Sequence, residues 1–170
     1  MRRFADLYDA IDRTMSTNAK VDAMVRYFQS APPADAAWAA FFLTGRRLKR
    51  LVPSASIHEW TVAATGIESW LIADCYAVVG DGAETAALVL DQLPVQRGPD
   101  VPLAEWVTGR ILPLRQLDPA TQQLRVTEWW RALDRLQRFV LLKMLTLSAG
   151  SWPDMRRPLA APLRPRNTLP

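Results

Sequence analysis

A chain of 170 residues has room for one domain, or one domain and a tail, but not for a second catalytic domain. Its 49% hydrophobic and 22% charged residues match ordinary globular usage, which excludes wholesale disorder, and no apolar run approaches the roughly 18 residues that span a bilayer. The net charge of +4 is unevenly placed: residues 1–149 hold 17 basic and 16 acidic residues, and Arg156, Arg157, Arg164 and Arg166 against Asp154 supply the rest. A body so near neutrality binds a polyanion only through locally clustered cations.

The opening meets charge at Asp6 and Asp9 where a signal peptide is apolar, so a cytoplasmic protein is expected. Phe4, Leu7, Tyr8 and Ile11 are spaced as one buried helix face, and Val21, Met24, Val25 and Phe28 repeat the pattern. Pro32 and Pro33 break the chain, and a helix from about Ala34 carries Trp38, Phe41 and Phe42 to a stop at Gly45. Arg46, Arg47, Lys49 and Arg50 follow as a basic loop. Ser56 with Glu59 suggests a capping box, Gly66 a stop, and Trp70, Leu71, Cys75 and Val78 a further buried stripe closed by Gly80. Asp81, with Glu84 three residues on, opens the next helix, whose apolar positions are Ala83, Ala86, Ala87, Leu90 and Leu93.

Pro94 to Pro102 reads as a long surface loop that could divide two helical subclusters. Beyond it, Leu103, Trp106, Val107 and Ile111 form a short helix, and Asp118-Pro119 supplies an N-cap with proline at the first helical position. Leu136, Phe139, Val140, Lys143, Met144 and Leu147 mark the last helix. No alternating strand pattern competes, so the fold class is all-α, a multi-helix bundle-like domain over 1–149. Five of the thirteen prolines fall in 150–170, which reads as an irregular Pro/Arg-rich tail.

Several common chemistries have no visible seat. His58 is the single histidine, Cys75 the single cysteine, and neither a G-x-x-x-x-G-K-S/T loop nor a G-x-G-x-x-G turn is present. Asp6, Asp9 and Asp12 are spaced like paired acids but lie opposite the apolar stripe, where a solvated face is the simpler reading. Six of the seven tryptophans fall at helical core spacing, which favours burial over a base-stacking platform. No catalytic and no metal residue is assigned.

Segments in order along the chain resemble the amino-terminal domain of bacterial-type ATP-dependent DNA ligases. They are the opening 28 residues, the run from Ala36 to Val52 with Leu43-Thr44-Gly45-Arg46-Arg47 at its centre, Val79-Gly80-Asp81 with Glu84-Thr85, and the run from Trp106 to Thr146. The likeness covers about residues 1–146. It implies an all-helical domain that grips duplex DNA around a nick, largely through the backbone and minor groove, in replication, repair and recombination. In such ligases a separate nucleotidyltransferase domain, using ATP and Mg, joins the strands through a lysine in a K-x-D-G motif. Lys20, Lys49 and Lys143 sit in KVDA, KRLV and KMLT, so this chain alone is expected to need no cofactor and to be inactive. The likeness stops near Thr146, where the family continues with a basic stretch. A frame slip there, in a gene truncated before the catalytic domain, would account for the departure.

The residues expected to meet DNA are Arg46, Arg47, Lys49 and Arg50 with Thr44 and Gly45, joined by Arg13 and Lys20 near the second helix and by Lys143 on the last. Cations after a helix end also favour the macrodipole, which explains part of the cluster without any ligand. The competing reading is a helical protein-interaction module, or a vestigial fragment that no longer binds DNA.

Overall fold

The computed structural model describes residues 1–49, 51–96 and 98–146. Among these it contains nine α-helices and no strand, so the all-α expectation holds. Helix α1 spans Arg2–Asp12, α2 Thr17–Ser30, α3 Pro33–Leu43, α4 Ser54–Thr65, α5 Ser69–Val79 and α6 Gly82–Val89. The short α7, Leu103–Glu105, runs without a break into a π turn over Trp106–Ile111 and a 3-10 turn over Leu112–Gln116. Helices α8, Pro119–Ala132, and α9, Arg135–Thr146, complete the order. Arg50, Leu147 and the tail lie outside the described residues.

The helix boundaries follow local chemistry. Gly66 (φ 69°) and Gly80 (φ 78°) end α4 and α5 in the left-handed conformation that costs glycine least. Asp81 accepts hydrogen bonds from the amides of Ala83 and Glu84, and Asp118 from those of Ala120 and Thr121, so both act as the N-caps their sequence implied. Two starts differ from expectation. Pro53 sets an extended φ and ψ directly before Ser54, so α4 begins early and Ser56 and Glu59 lie inside it without capping. Asp134 and Gln137 form the reciprocal capping box instead, each side-chain oxygen accepting the other residue's amide at 2.9 and 3.2 Å.

Helix α9 is the axis of the bundle. Every described side chain from Gln137 to Thr146 is buried except the half-buried Phe139, because α9 packs against both α1 and α6. Such a position demands that its polar groups be satisfied internally. Arg138, fully buried, donates from Nε to the Trp130 carbonyl and from Nη1 to the Leu90 carbonyl, both at 2.6 Å, and more weakly to that of Leu93. One guanidinium thereby caps the carboxyl ends of α8 and α6, where its charge also meets the negative ends of two helices.

The proline-rich loop does not divide the bundle. One core runs from Met1 to Leu145, with α1 packed on α9 and α3 on α7 across the loop, and the Gln96 amide donates to the Arg131 carbonyl at 2.8 Å. Two predicted stripes are corrected. On α2 the buried residues are Ala23 and Tyr27, leaving Val21, Val25 and Phe28 exposed. On α5 only Ile72 is buried, while Trp70 is 63% and Val78 88% exposed, because α5 packs mainly on α4 and α6 at the rim of the bundle. Of the remaining described tryptophans, Trp60, Trp106 and Trp130 are buried and Trp38 and Trp129 half-buried.

Candidate nucleic-acid interface

The basic loop is built on the end of α3. There the Arg46 amide donates to the Phe41 carbonyl at 3.2 Å and the Gly45 amide to the Phe42 carbonyl at 2.9 Å, the paired bonds of a Schellman stop. Gly45, at φ 76°, supplies the left-handed residue the motif requires. The Thr44 hydroxyl donates into the same helix end, to Ala40 and Phe41 carbonyls at 2.8 and 3.0 Å. Its proton is therefore committed to the helix, and Thr44 shapes the loop while keeping only acceptor capacity outward.

On both sides of the stop, apolar and basic residues differ in their surroundings. Phe42, Leu43, Leu48, Leu51 and Val52 are buried, and the Leu51 amide reaches the Leu145 carbonyl of α9 at 3.4 Å. Each such side chain contributes about 1.5–3 kcal/mol of burial, so the loop is fastened to the core on both sides of its cations. Arg46, Arg47 and Lys49 are exposed, and among the described residues none of them has a carboxylate within ion-pair distance. Other described cations are divided: Arg13 pairs with Asp9 at 2.7 Å, Arg125 with Glu128 at 3.6 Å, and Arg110 with Glu105 at 3.9 Å while lying 4.5 Å over the Trp106 ring, whereas Arg2, Arg26, Arg131 and Arg135 also have no described carboxylate within ion-pair distance. What sets the loop apart is density: three unpaired cations within four positions, on a segment fastened to the core, make it a candidate contact for an anion.

The other sequence candidates are not drawn into this surface. Arg13 is spent on Asp9, and Lys20 sits half-buried in the first turn of α2; no described hydrogen bond or ion pair links either to the loop. Lys143 lies apart from the loop, in the core. It is 4% exposed, and its ammonium lies 2.5 Å from Asp81 Oδ2 and 5.0 Å from the Phe139 ring, so it is unable to meet a phosphate without leaving the core. The alternation of buried leucines with loop cations was present in the sequence, but only the fold tells which side chains have partners.

A cavity of about 360 Å³ between α4, α5 and α6 is the main alternative site. It is lined by Ile57, His58, Ile72, Tyr76, Ala86 and Thr146, among others. The hydroxyls of Thr61, Thr85 and Thr146 on its wall donate to their own helices, so it presents largely apolar surface, and among the described residues no lysine or arginine lines it. His58 Nε2 lies 2.7 Å from Ser69 Oγ, tying α4 to α5; no carboxylate among the described residues orients the ring as a Ser-His-Asp arrangement requires. This cavity suits an apolar group and lacks the cations a nucleotide phosphate needs.

A family model described as DNA ligase N terminus matches residues 1–148 of the chain. No curated protein sequence matches it.

Proposed function

The chain belongs to the DNA ligase N-terminal family, and on that premise we propose that it binds duplex DNA at nicks for strand joining in replication, repair and recombination. The observation that supports this most directly is the fastened loop whose Arg46, Arg47 and Lys49 lack carboxylate partners among the described residues. Arg50, next in sequence, adds a fourth cation to the same segment. Phosphate contacts hold a protein in register without reading bases, which suits an activity that must accept a nick in any sequence. The joining chemistry, with ATP and Mg, would belong to a nucleotidyltransferase domain acting with this one, and a cytoplasmic location goes with that role.

Binding of the purified chain to nicked and intact duplexes across a salt series tests the proposal. Affinity is expected to fall steeply with salt and to be lost when Arg46, Arg47, Lys49 and Arg50 are reversed to glutamate. A second reading, a protein-interaction module, is favoured by the exposed apolar residues of α5, Trp70 and Val78 above all. Under that reading DNA binding is absent at low salt, and association through α5 is insensitive to salt.

A further inference from the structure

We infer that Arg115 is a further phosphate-binding residue, extending the loop surface onto the 3-10 turn that follows the π segment; this rests on the reading that the loop meets DNA. Arg115 is 66 positions from Lys49 in sequence, yet its Nη2 lies 3.5 Å from the Lys49 carbonyl. The turn that carries it is held firmly. Leu114 is fully buried beside it, Leu112 and Leu117 are half-buried, and Gln122 donates to the carbonyls of Leu114 and Leu117 at 2.8 and 3.2 Å.

Arg115 differs from Arg110 and Arg125 in having no carboxylate partner among the described residues. Arg110, earlier in the same continuous segment, is committed to the Trp106 ring and Glu105, and Arg125 on α8 to Glu128. Arg115 is exposed, has no carboxylate within ion-pair distance among the described residues, and uses only one donor on a long hydrogen bond. A guanidinium carries five N–H donors in a rigid fork, so most of its capacity remains for an anion.

The juxtaposition is also electrostatically incomplete. Two chain segments bring Arg115 beside a loop that already holds Arg46, Arg47 and Lys49, with no described acid paired to any of them. Like charges brought onto one face repel each other, and an anion bound between the two segments relieves that repulsion. A backbone phosphate of the duplex gripped by the loop supplies the missing negative charge and matches the guanidinium fork.

The test is a salt titration of nicked-duplex binding by the 170-residue chain carrying Arg115→Ala or Arg115→Lys, with Arg46→Ala/Arg47→Ala beside them and thermal unfolding of each. Loss of one phosphate contact should weaken R115A binding about fivefold and reduce the slope of log affinity against log salt by about 0.9, with the thermal midpoint unchanged. R115K should keep most of the slope while losing part of the affinity, because it keeps the charge without the fork. An R115A slope equal to wild type, while the loop variant loses slope, overturns the inference and leaves the function standing. Affinity reduced without a change in slope also overturns it, since Arg115 would then only brace the Lys49 carbonyl. Salt-insensitive binding, or none, by the unaltered chain overturns both.

Discussion

Lys143 Nζ and Asp81 Oδ2 lie 2.5 Å apart, joining the last turn of α9 to the start of α6 across 62 positions of sequence. Asp81 uses its two oxygens for different work: Oδ1 caps α6 and Oδ2 neutralises the buried ammonium. Removing one partner strands a charge, and the two partners are not equivalent, because the Lys143 side chain is 3% exposed and that of Asp81 24%. Asp81→Asn keeps a capping oxygen but leaves Lys143 buried without a counter-charge, at an expected loss of about 3 kcal/mol. Lys143→Met leaves a carboxylate that still caps α6 and reaches solvent, so it should stay within about 1 kcal/mol of wild type. Urea unfolding of the two variants checks the order, and equal losses would show that the pair is not the tie described. DNA affinity should be unchanged in K143M, since the residue is not on the interface.

The pair also shows where sequence reading stops. Gly66, Gly80, Asp81 and Asp118 announced their helix ends because caps and stops depend on a residue and its nearest neighbours. The stripes on α2 and α5 were legible as faces, but periodicity says which residues share a face and not whether another helix covers it. Ala23 and Tyr27 won the buried position on α2, and α5 was left at the rim. Lys143 stands in the stripe of α9 and is expected from sequence to meet DNA, since its partner Asp81 lies 62 positions away and no local signal names it. The basic loop was legible as composition; its lack of carboxylate partners and the approach of Arg115 depend on long-range packing.

Alkaline pH should loosen the packing of α1 and α2 in a defined window. Burial, reinforced by Asp12, Asp81 and Glu84, raises the pKa of Tyr8 above its ordinary value. Burial and then Asp35, opposed by Arg3, push that of Tyr27 up to about 12. In the unfolded chain both hydroxyls ionise near pH 10, whereas the fold holds their protons longer. The unfolded state then binds fewer protons, so stability is fully present below about pH 10 and declines as pH rises toward 12. Urea midpoints measured through this range should fall, and the decline should flatten in the Tyr8→Phe/Tyr27→Phe variant. An equal slope in that variant would place the alkaline sensitivity elsewhere.

The exposed residues of α5 should be separable from the core by their response to substitution. Trp70 and Val78 are 63% and 88% exposed, so Trp70→Ser and Val78→Ser should each change stability by no more than about 0.5 kcal/mol. Trp130 is fully buried, and Trp130→Ala should cost about 3–5 kcal/mol. Light scattering should show less self-association in the α5 variants, because they remove apolar surface from solvent. A large stability loss in W70S would mean that α5 packs more deeply than its exposure indicates.

Gly45 links the helix stop to the aim of the cations. Its φ of 76° is strained for a residue with a Cβ, yet a Cβ built there meets nothing within 4 Å, so conformation rather than crowding decides the cost. Gly45→Ala should therefore lose about 1–2 kcal/mol, and Gly45→Asn less, because asparagine enters the left-handed region more readily. The strain is relieved most easily by giving up the paired bonds to Phe41 and Phe42, which would release Arg46 and Arg47 from their fixed exit direction. DNA affinity should accordingly fall more in G45A than in G45N while the salt slope stays near that of wild type, since no charge has been removed. Equal affinity in all three chains would mean that the cations act by number alone and that the Schellman stop does not orient them.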